Sequence, residues 1–227
     1  MRQFWREWIL PMGLLLIVVS PLKSAVLDWN WVPSGSMKPT IVEGDLVMVN
    51  KLAYDLKVPF TTTHLATWAH PARGDIAVFF SPQDGTRLVK RVVGLPGDTI
   101  ELKNEVLYIN GQAQRYAPLD PAPFMSDIFE DPTPNVAMEQ LADRAHYVMA
   151  LPHRGAMRSF GPVVVGEGKY FMLGDSRDNS YDSRYFGAVD RQAIVGRASY
   201  VLVSFDTSRY LWPRMRRFIS PLERPGI

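Results

Sequence analysis

A serine becomes a nucleophile when a base can take its proton and its own backbone is held still. The stretch Pro33-Ser34-Gly35-Ser36-Met37-Lys38-Pro39-Thr40 offers such a serine. Prolines fix the backbone on both sides, Gly35 permits a tight or left-handed turn, and Ser36 is displayed on a stiff loop. Runs of Ser, Gly and Pro are also ordinary turns, so the loop alone does not establish chemistry. The base has to come from elsewhere in the chain. His64, His70, His146 and His153 are the four histidines, and all read as surface residues of loop or insert sequence. With no cysteine beside them they make a poor metal set. The Gly-x-Ser-x-Gly elbow is absent, and Met37 and Pro39 stand where a Ser-x-x-Lys pattern would need lysine.

Lysine remains as the base. It accepts a proton only when neutral, so it must be desolvated enough to lower its pKa. Lys90 has the setting for that, among Leu88, Val89, Val92 and Val93. The same spacing also fits a strand lysine with a buried stem and a solvated amine. Lys38 is nearer in sequence, but it reads as part of an exposed turn between Met37 and Pro39.

The elements that must position these residues read as strands. The chain has 227 residues, enough for one sizeable domain or one domain with an insert. A net charge of +2 implies no nucleic-acid partner. Zero cysteines exclude disulfides and a thiol nucleophile. Short β-branched runs between many prolines and glycines point to a mainly β, turn-rich fold. Strand signal covers 45–50, 75–80, 87–93, 99–102 and 105–109, the last running into Asn110-Gly111, a strong hairpin signal. It resumes at 162–165, 169–173 and 193–205. Between these blocks, residues 112–161 are proline-rich, with a short helical patch near 136–144, and read as an insertion. The basic, aromatic tail 209–227 reads as packed on the domain, with anionic lipid as the other possible contact.

Residues 8–27, WILPMGLLLIVVSPLKSAVL, supply the twenty or so apolar residues that a membrane-spanning helix needs. Trp5, Trp8, Trp29 and Trp31 flank the run as an interfacial belt. Cleavage after Ala25 would place Lys23 where a small residue is wanted, so the run reads as a retained anchor rather than a removed leader. The short N-terminal tail is then the cytoplasmic end and the large domain lies outside.

Taken in order, these stretches resemble bacterial type I signal peptidases, membrane-anchored Ser/Lys proteases. The loop 33–40 is similar to the nucleophile box, and Gly44-Asp45 with its strand to the next. Arg73-Gly74-Asp75-Ile76 and Lys90-Arg91-Val92-Val93-Gly94-Leu95-Pro96-Gly97-Asp98 resemble the base box. The loop from Gly174-Asp175-Ser176-Arg177-Asp178-Asn179-Ser180 to Tyr181-Asp182-Ser183-Arg184-Tyr185-Phe186-Gly187 resembles the last.

The resemblance implies an antiparallel β catalytic domain (28–111 and 162–227) on one N-terminal transmembrane helix (1–27 with its tail), with an inserted smaller subdomain (112–161). Ser36 is implied as nucleophile and Lys90 as base. The Ser36 N–H and the Ser34 hydroxyl are implied as the oxyanion hole. Ser180 is implied to aim Lys90, while Asp175 and Asp182 pair with Arg91 and Arg184. No metal and no cofactor are implied. The implied substrates are signal peptides of preproteins with small residues at −1 and −3. The implied partner surface is the lipid bilayer, and the implied place is the outer face of the cytoplasmic membrane. Larger members with two N-terminal spans, or with cysteines in the second domain, differ from this chain.

Overall fold

Short runs rich in β-branched and apolar residues, such as IAVFF at 76–80, build the central strands. The structure is a computed structural model, and it describes residues 7–8, 12–13, 25–58, 61, 63–128 and 133–222. Most of the apolar run 8–27, read from sequence as an anchor, lies outside the described residues. No helix among the described residues is long and apolar enough to cross a membrane.

The largest sheet is antiparallel. It runs β1 (Leu27–Trp31), β2 (Asp45–Asn50), β16 (Ile194–Asp206), β5 (Ile76–Phe80), β6 (Arg87–Gly94), β14 (Lys169–Leu173) and β15 (Val189–Asp190). In β2 the alternation is complete: Asp45, Val47 and Val49 are buried while their neighbours are half-buried. The long β16 changes partners along its length, pairing β5 early and β18 (Ser220–Pro221) and β17 (Trp212–Pro213) late, and it carries bulges that curl the sheet. Val47, Val49, Ile76, Val78, Val195 and Val201 form a core beneath this sheet. Met37 and Ile41, from the serine loop, are plugged into the same core.

A second sheet is ordered β13 (Phe160–Val164), β7 (Thr99–Lys103), β8 (Val106–Ile109) and β9 (Gln112–Ala113). Its β8–β9 turn is Asn110-Gly111 with φ +52° and +77°, the left-handed pair that a two-residue hairpin demands. Pro162 sits at an irregularity in the edge strand β13, where a missing N–H costs least. A two-stranded ribbon joins β3 (Asp55–Lys57) to β4 (His64–Thr67).

Residues 112–161 contain a third sheet, β10 (Arg115–Leu119), β11 (Asn135–Leu141) and β12 (Arg144–Ala150). The helical patch expected near 136–144 is instead the β11–β12 hairpin. Met138, Glu139, Gln140 and Leu141 favour helix locally, but Val136 and Leu141 are buried against other elements and tertiary packing overrides that preference. Trp29 and Trp31, read as part of an interfacial belt, lie on β1, which pairs along its whole length with β2 as an edge strand. The tail packs on the domain through Arg217, whose Nη2 lies 2.6 Å from Asp45 Oδ2, and through Arg214, whose Nη1 donates to the Glu43 and Phe205 carbonyls at 2.9 Å.

Candidate active site

The serine loop is fixed from within. Met37 and Ile41 anchor it in the core, and the Ile41 N–H donates to the Met37 carbonyl at 2.9 Å. Lys38, expected to be exposed, is buried and its Nζ lies 2.9 Å from Glu43 Oε2. Its stem crosses over Gly35: a Cβ on Gly35 would fall 2.9 Å from Lys38 Cε and 2.5 Å from Glu43 Oε1. Lys38 therefore braces the loop from which Ser36 projects, and a long buried stem explains why its flanking proline and methionine gave no sign of it.

Among the described residues, Ser36 Oγ meets one titratable side chain. Lys90 Nζ is 2.6 Å from Ser36 Oγ and 3.1 Å from the Val89 carbonyl. Lys90 lies on β6 opposite Ala77 of β5 and is only 3% exposed. Burial pushes its amine down to about 8. Asp182 and Asp175 pull it back up, and Arg184 pushes it further down. A buried amine with so low a pKa is neutral in a useful fraction near neutral pH, as a general base must be.

Strand periodicity divides the next two residues between tasks. Arg91 faces the opposite side of β6 from Lys90. Its Nε and Nη2 grip Asp175 at 2.8 and 2.6 Å, and its Nη1 donates to the Gly74 carbonyl at 2.8 Å. Thr40 Oγ1, from the serine loop, donates to Asp175 Oδ2 at 2.5 Å. Burial disfavours the Asp175 carboxylate, but Arg91 outweighs it and holds the pKa below the usual range. Asp175 thus ties the loop after β14 to both the serine loop and the lysine strand.

The rest of that loop is held as tightly. Asp182 caps the helical turn Ser183–Phe186 and accepts from Arg184 Nε at 2.8 Å, Arg184 Nη2 at 2.9 Å and the Gly174 N–H at 3.0 Å. Arg184 Nη2 also donates to the Arg177 carbonyl at 2.6 Å. The Asp182–Arg184 pair is therefore internal to the loop, whereas Asp175–Arg91 crosses between elements. The Ser176 N–H donates to the Ser36 carbonyl at 3.1 Å, joining loop to nucleophile directly.

Ser180 is buried, and its Oγ makes no hydrogen bond among the described residues. The structure does not join it to Lys90. It does place it near the nucleophile, since Ser180 Oγ and the Ser36 carbonyl both crowd Gly174. Ser34 is exposed, with its Oγ 3.5 Å from Ser36 Oγ. The Ser36 N–H donates to no partner among the described residues, which leaves it available to a developing oxyanion.

The histidines take other positions. His146, expected at the surface, is buried with its Nε2 3.0 Å from Glu139 Oε2 and 3.9 Å from Asp175 Oδ1. His64 Nδ1 sits 3.0 Å from Asp55 Oδ2 in the β3–β4 ribbon. Sequence reasoning missed both, because the partner carboxylates are far away or on another strand. Among the described residues no group of three His, Asp or Glu side chains is placed to hold a metal ion.

Comparison with known proteins agrees in where it matches. The family model described as signal peptidase, peptidase S26, matches residues 5–203. The chain is 35% identical to the signal peptidase I of Pseudomonas aeruginosa over 205 residues, covering 84% of this chain and 70% of that protein. It is 28% identical to the signal peptidase I of Bacillus licheniformis, covering 89% of this chain and 91% of that one. Among solved structures, a signal peptidase I from Enterococcus faecalis is 34% identical with a TM-score of 0.35, covering 58% of this chain and 98% of that chain.

Proposed function

The chain belongs to the signal peptidase family, peptidase S26, a family of serine endopeptidases, and from that premise we propose that it removes signal peptides from exported preproteins with a Ser36–Lys90 dyad. The observation that carries the reading is the 2.6 Å contact between Lys90 Nζ and Ser36 Oγ in a buried setting.

The chemistry follows from that contact. Neutral Lys90 accepts the Ser36 proton as Oγ attacks the scissile carbonyl. The Ser36 N–H and the Ser34 hydroxyl receive the oxyanion. The resulting ammonium protonates the leaving amine, the mature protein departs, and an acyl ester remains on Ser36. Lys90, neutral again, takes a proton from the water that attacks the ester, and the ammonium returns it to the departing Ser36 Oγ, which frees the signal peptide and restores both Ser36 and neutral Lys90. Ser180 supplies a hydroxyl beside the amine to steer it. Asp175 with Arg91, and Asp182 with Arg184, hold the loop that carries Ser180.

Recognition uses strand geometry. An extended signal peptide pairs with an open sheet edge beside Ser36, so that −1 and −3 side chains face the same side and enter shallow pockets that exclude bulk. The run 8–27 acts as a single membrane anchor, with the N-terminus cytoplasmic and the catalytic domain on the outer face. Residue 27 to Ser36 spans at most about 30 Å of extended chain, which keeps the site near the bilayer where the cleavage point emerges. Residues 112–161 form an inserted subdomain between the two halves of the catalytic domain.

The test is cleavage in detergent micelles of a preprotein with Ala at −1 and −3, with N-terminal sequencing of the product. One cut after the −1 residue is expected, and Phe at −1 is expected to lower the rate by roughly a hundredfold or more. Equal cleavage of the Ala and Phe substrates would contradict the recognition model.

A further inference from the structure

Three strands of the 112–161 segment bring one row of polar side chains to the back of the catalytic loop. Tyr116 on β10, Glu139 on β11 and His146 on β12 are direct cross-strand partners. The Tyr116 hydroxyl donates to Glu139 Oε1. Glu139 is wholly buried and accepts from Arg177 Nη2 at 2.5 Å, while His146 Nε2 lies 3.0 Å from the same carboxylate oxygen. Arg177 belongs to the loop that carries Asp175, Ser176 and Ser180. The row is therefore anchored on that loop and not on solvent.

Its neighbours carry the connection onward. His146 Nε2 lies 3.9 Å from Asp175 Oδ1, and the charged groups around it are Glu139, Asp175 and Arg91. On the same strand as His146, the Met149 N–H donates to the Asp175 carbonyl at 2.8 Å. One residue past that strand, the Leu151 N–H donates to Asp178 Oδ2 at 2.8 Å. Asp175 then holds Thr40 of the serine loop and Arg91 next to Lys90, and the Ser176 N–H holds the Ser36 carbonyl. A loop of polar backbone sits between the hairpin and the nucleophile and is bonded on both sides.

A buried carboxylate, imidazole and guanidinium are an expensive way to cover a loop, since well-packed apolar side chains serve that purpose at no desolvation cost. What the polar row adds is direction: hydrogen bonds and ion pairs fix the angle of their partners, and apolar contact does not. A pocket of about 190 Å³ on the His146 side of the row, lined in part by Thr40, Arg91, Arg144 and His146, leaves the imidazole room to shift if the pairing is lost.

We propose that Glu139 and His146 are positioning residues of the reaction, a clamp that sets the 174–180 loop and, through Asp175, the mutual orientation of Ser36 and Lys90. This rests on the dyad reading above. It assigns the 112–161 segment a part in turnover, not only in covering the domain.

The experiment compares His146→Leu, His146→Gln and Glu139→Gln with the wild type and Ser36→Ala, as full-length chains in detergent on one preprotein. Leucine fills the space without a polar group, whereas glutamine keeps a polar group near the position of Nε2, within reach of Glu139. His146→Leu is expected to lower kcat roughly tenfold with KM within about twofold, because a small misalignment near a reacting pair acts on turnover. His146→Gln is expected to recover kcat to within about threefold of wild type, which loss of packing alone does not explain. Glu139→Gln, where it folds, is expected to resemble His146→Leu. The proposal is overturned if His146→Leu keeps wild-type kcat, if His146→Gln is as slow as His146→Leu, or if the loss lies in KM alone. Full activity of Ser36→Ala would instead overturn the dyad reading, and the two failures are separate.

Discussion

Ser36→Ala and Lys90→Met are each expected to reduce preprotein cleavage by roughly 10⁴-fold or more, and the double variant is expected to be no slower than either single one. Ser36 supplies the nucleophile of the acylation step, and among the described residues Lys90 is the only titratable side chain bonded to it. Groups that act as one unit lose the whole effect when either is removed, so their losses do not add. Methionine suits position 90 because the amine is 3% exposed and an apolar chain of similar length replaces it without opening a large cavity. Lys90→Arg is the sharper control. It keeps a positive charge beside Ser36 but cannot become neutral, and it is expected to be as inactive as methionine. Steady-state cleavage in detergent, with circular dichroism to verify folding, checks all four proteins. Retention of wild-type kcat by Lys90→Arg would remove lysine from the role of base.

The second large effect is expected at Gly174. A Cβ there would fall 2.5 Å from the Ser36 carbonyl oxygen and 2.2 Å from Ser180 Oγ. The Ser180 hydroxyl can rotate away, but Ser180 Cβ, also 2.5 Å from the added carbon, cannot. The carbonyl cannot yield without moving the backbone of the nucleophile and breaking its 3.1 Å bond from the Ser176 N–H. Gly174 does not have a positive φ, so an alanine is excluded there by crowding and not by backbone conformation. Because a displacement of about 1 Å in a reacting pair costs on the order of a hundredfold in rate, Gly174→Ala is expected to lose at least that much kcat. Gly155→Ala is the matched control, since its Cβ would meet nothing within 4 Å. It is expected to cleave at the wild-type rate. Wild-type activity in Gly174→Ala would mean that the loop and the nucleophile are not in contact as described.

The parts of the site visible in the sequence were those whose residue types are unusual for their setting. A lysine among valines and leucines on a strand announces desolvation, and Lys90 is buried as that pattern requires. Asn110-Gly111 announced its turn because few residues adopt positive φ in sequence. The β7–β8 turn uses Asn104 and Glu105 in the same region of φ, and nothing in a glutamate signals that. The pairings of Arg91 with Asp175 and of Arg184 with Asp182 rest on family resemblance alone: the first joins elements far apart in the chain and has no sequence period, and the second lies within one polar loop, where nothing in the sequence separates a buried pair from solvated charges. Lys38 and His146 were misread for a related reason. Each lies in locally polar sequence and is buried by a partner, Glu43 in one case and Glu139 in the other. Helix-forming residues at 136–144 form a hairpin because Val136 and Leu141 pack against other elements, and Glu139 of the same strand meets Arg177, a residue of a loop nearly forty positions away.

The pH dependence of kcat/KM is the most direct check on neutral Lys90 as the base. Burial lowers the Lys90 pKa to about 8, so below that value the amine is protonated and cannot accept the Ser36 proton. The rate should therefore rise about tenfold per pH unit up to about pH 8 and level off above it. His146 is shifted away from that midpoint, held below the usual imidazole range mainly by its burial. The decisive experiment measures kcat/KM for wild type from pH 6 to pH 10 on one preprotein in detergent. A single ascending limb with an apparent pKa near 8 is the expected result. A flat profile, or a midpoint in the range of an ordinary histidine or an unperturbed lysine, would contradict it.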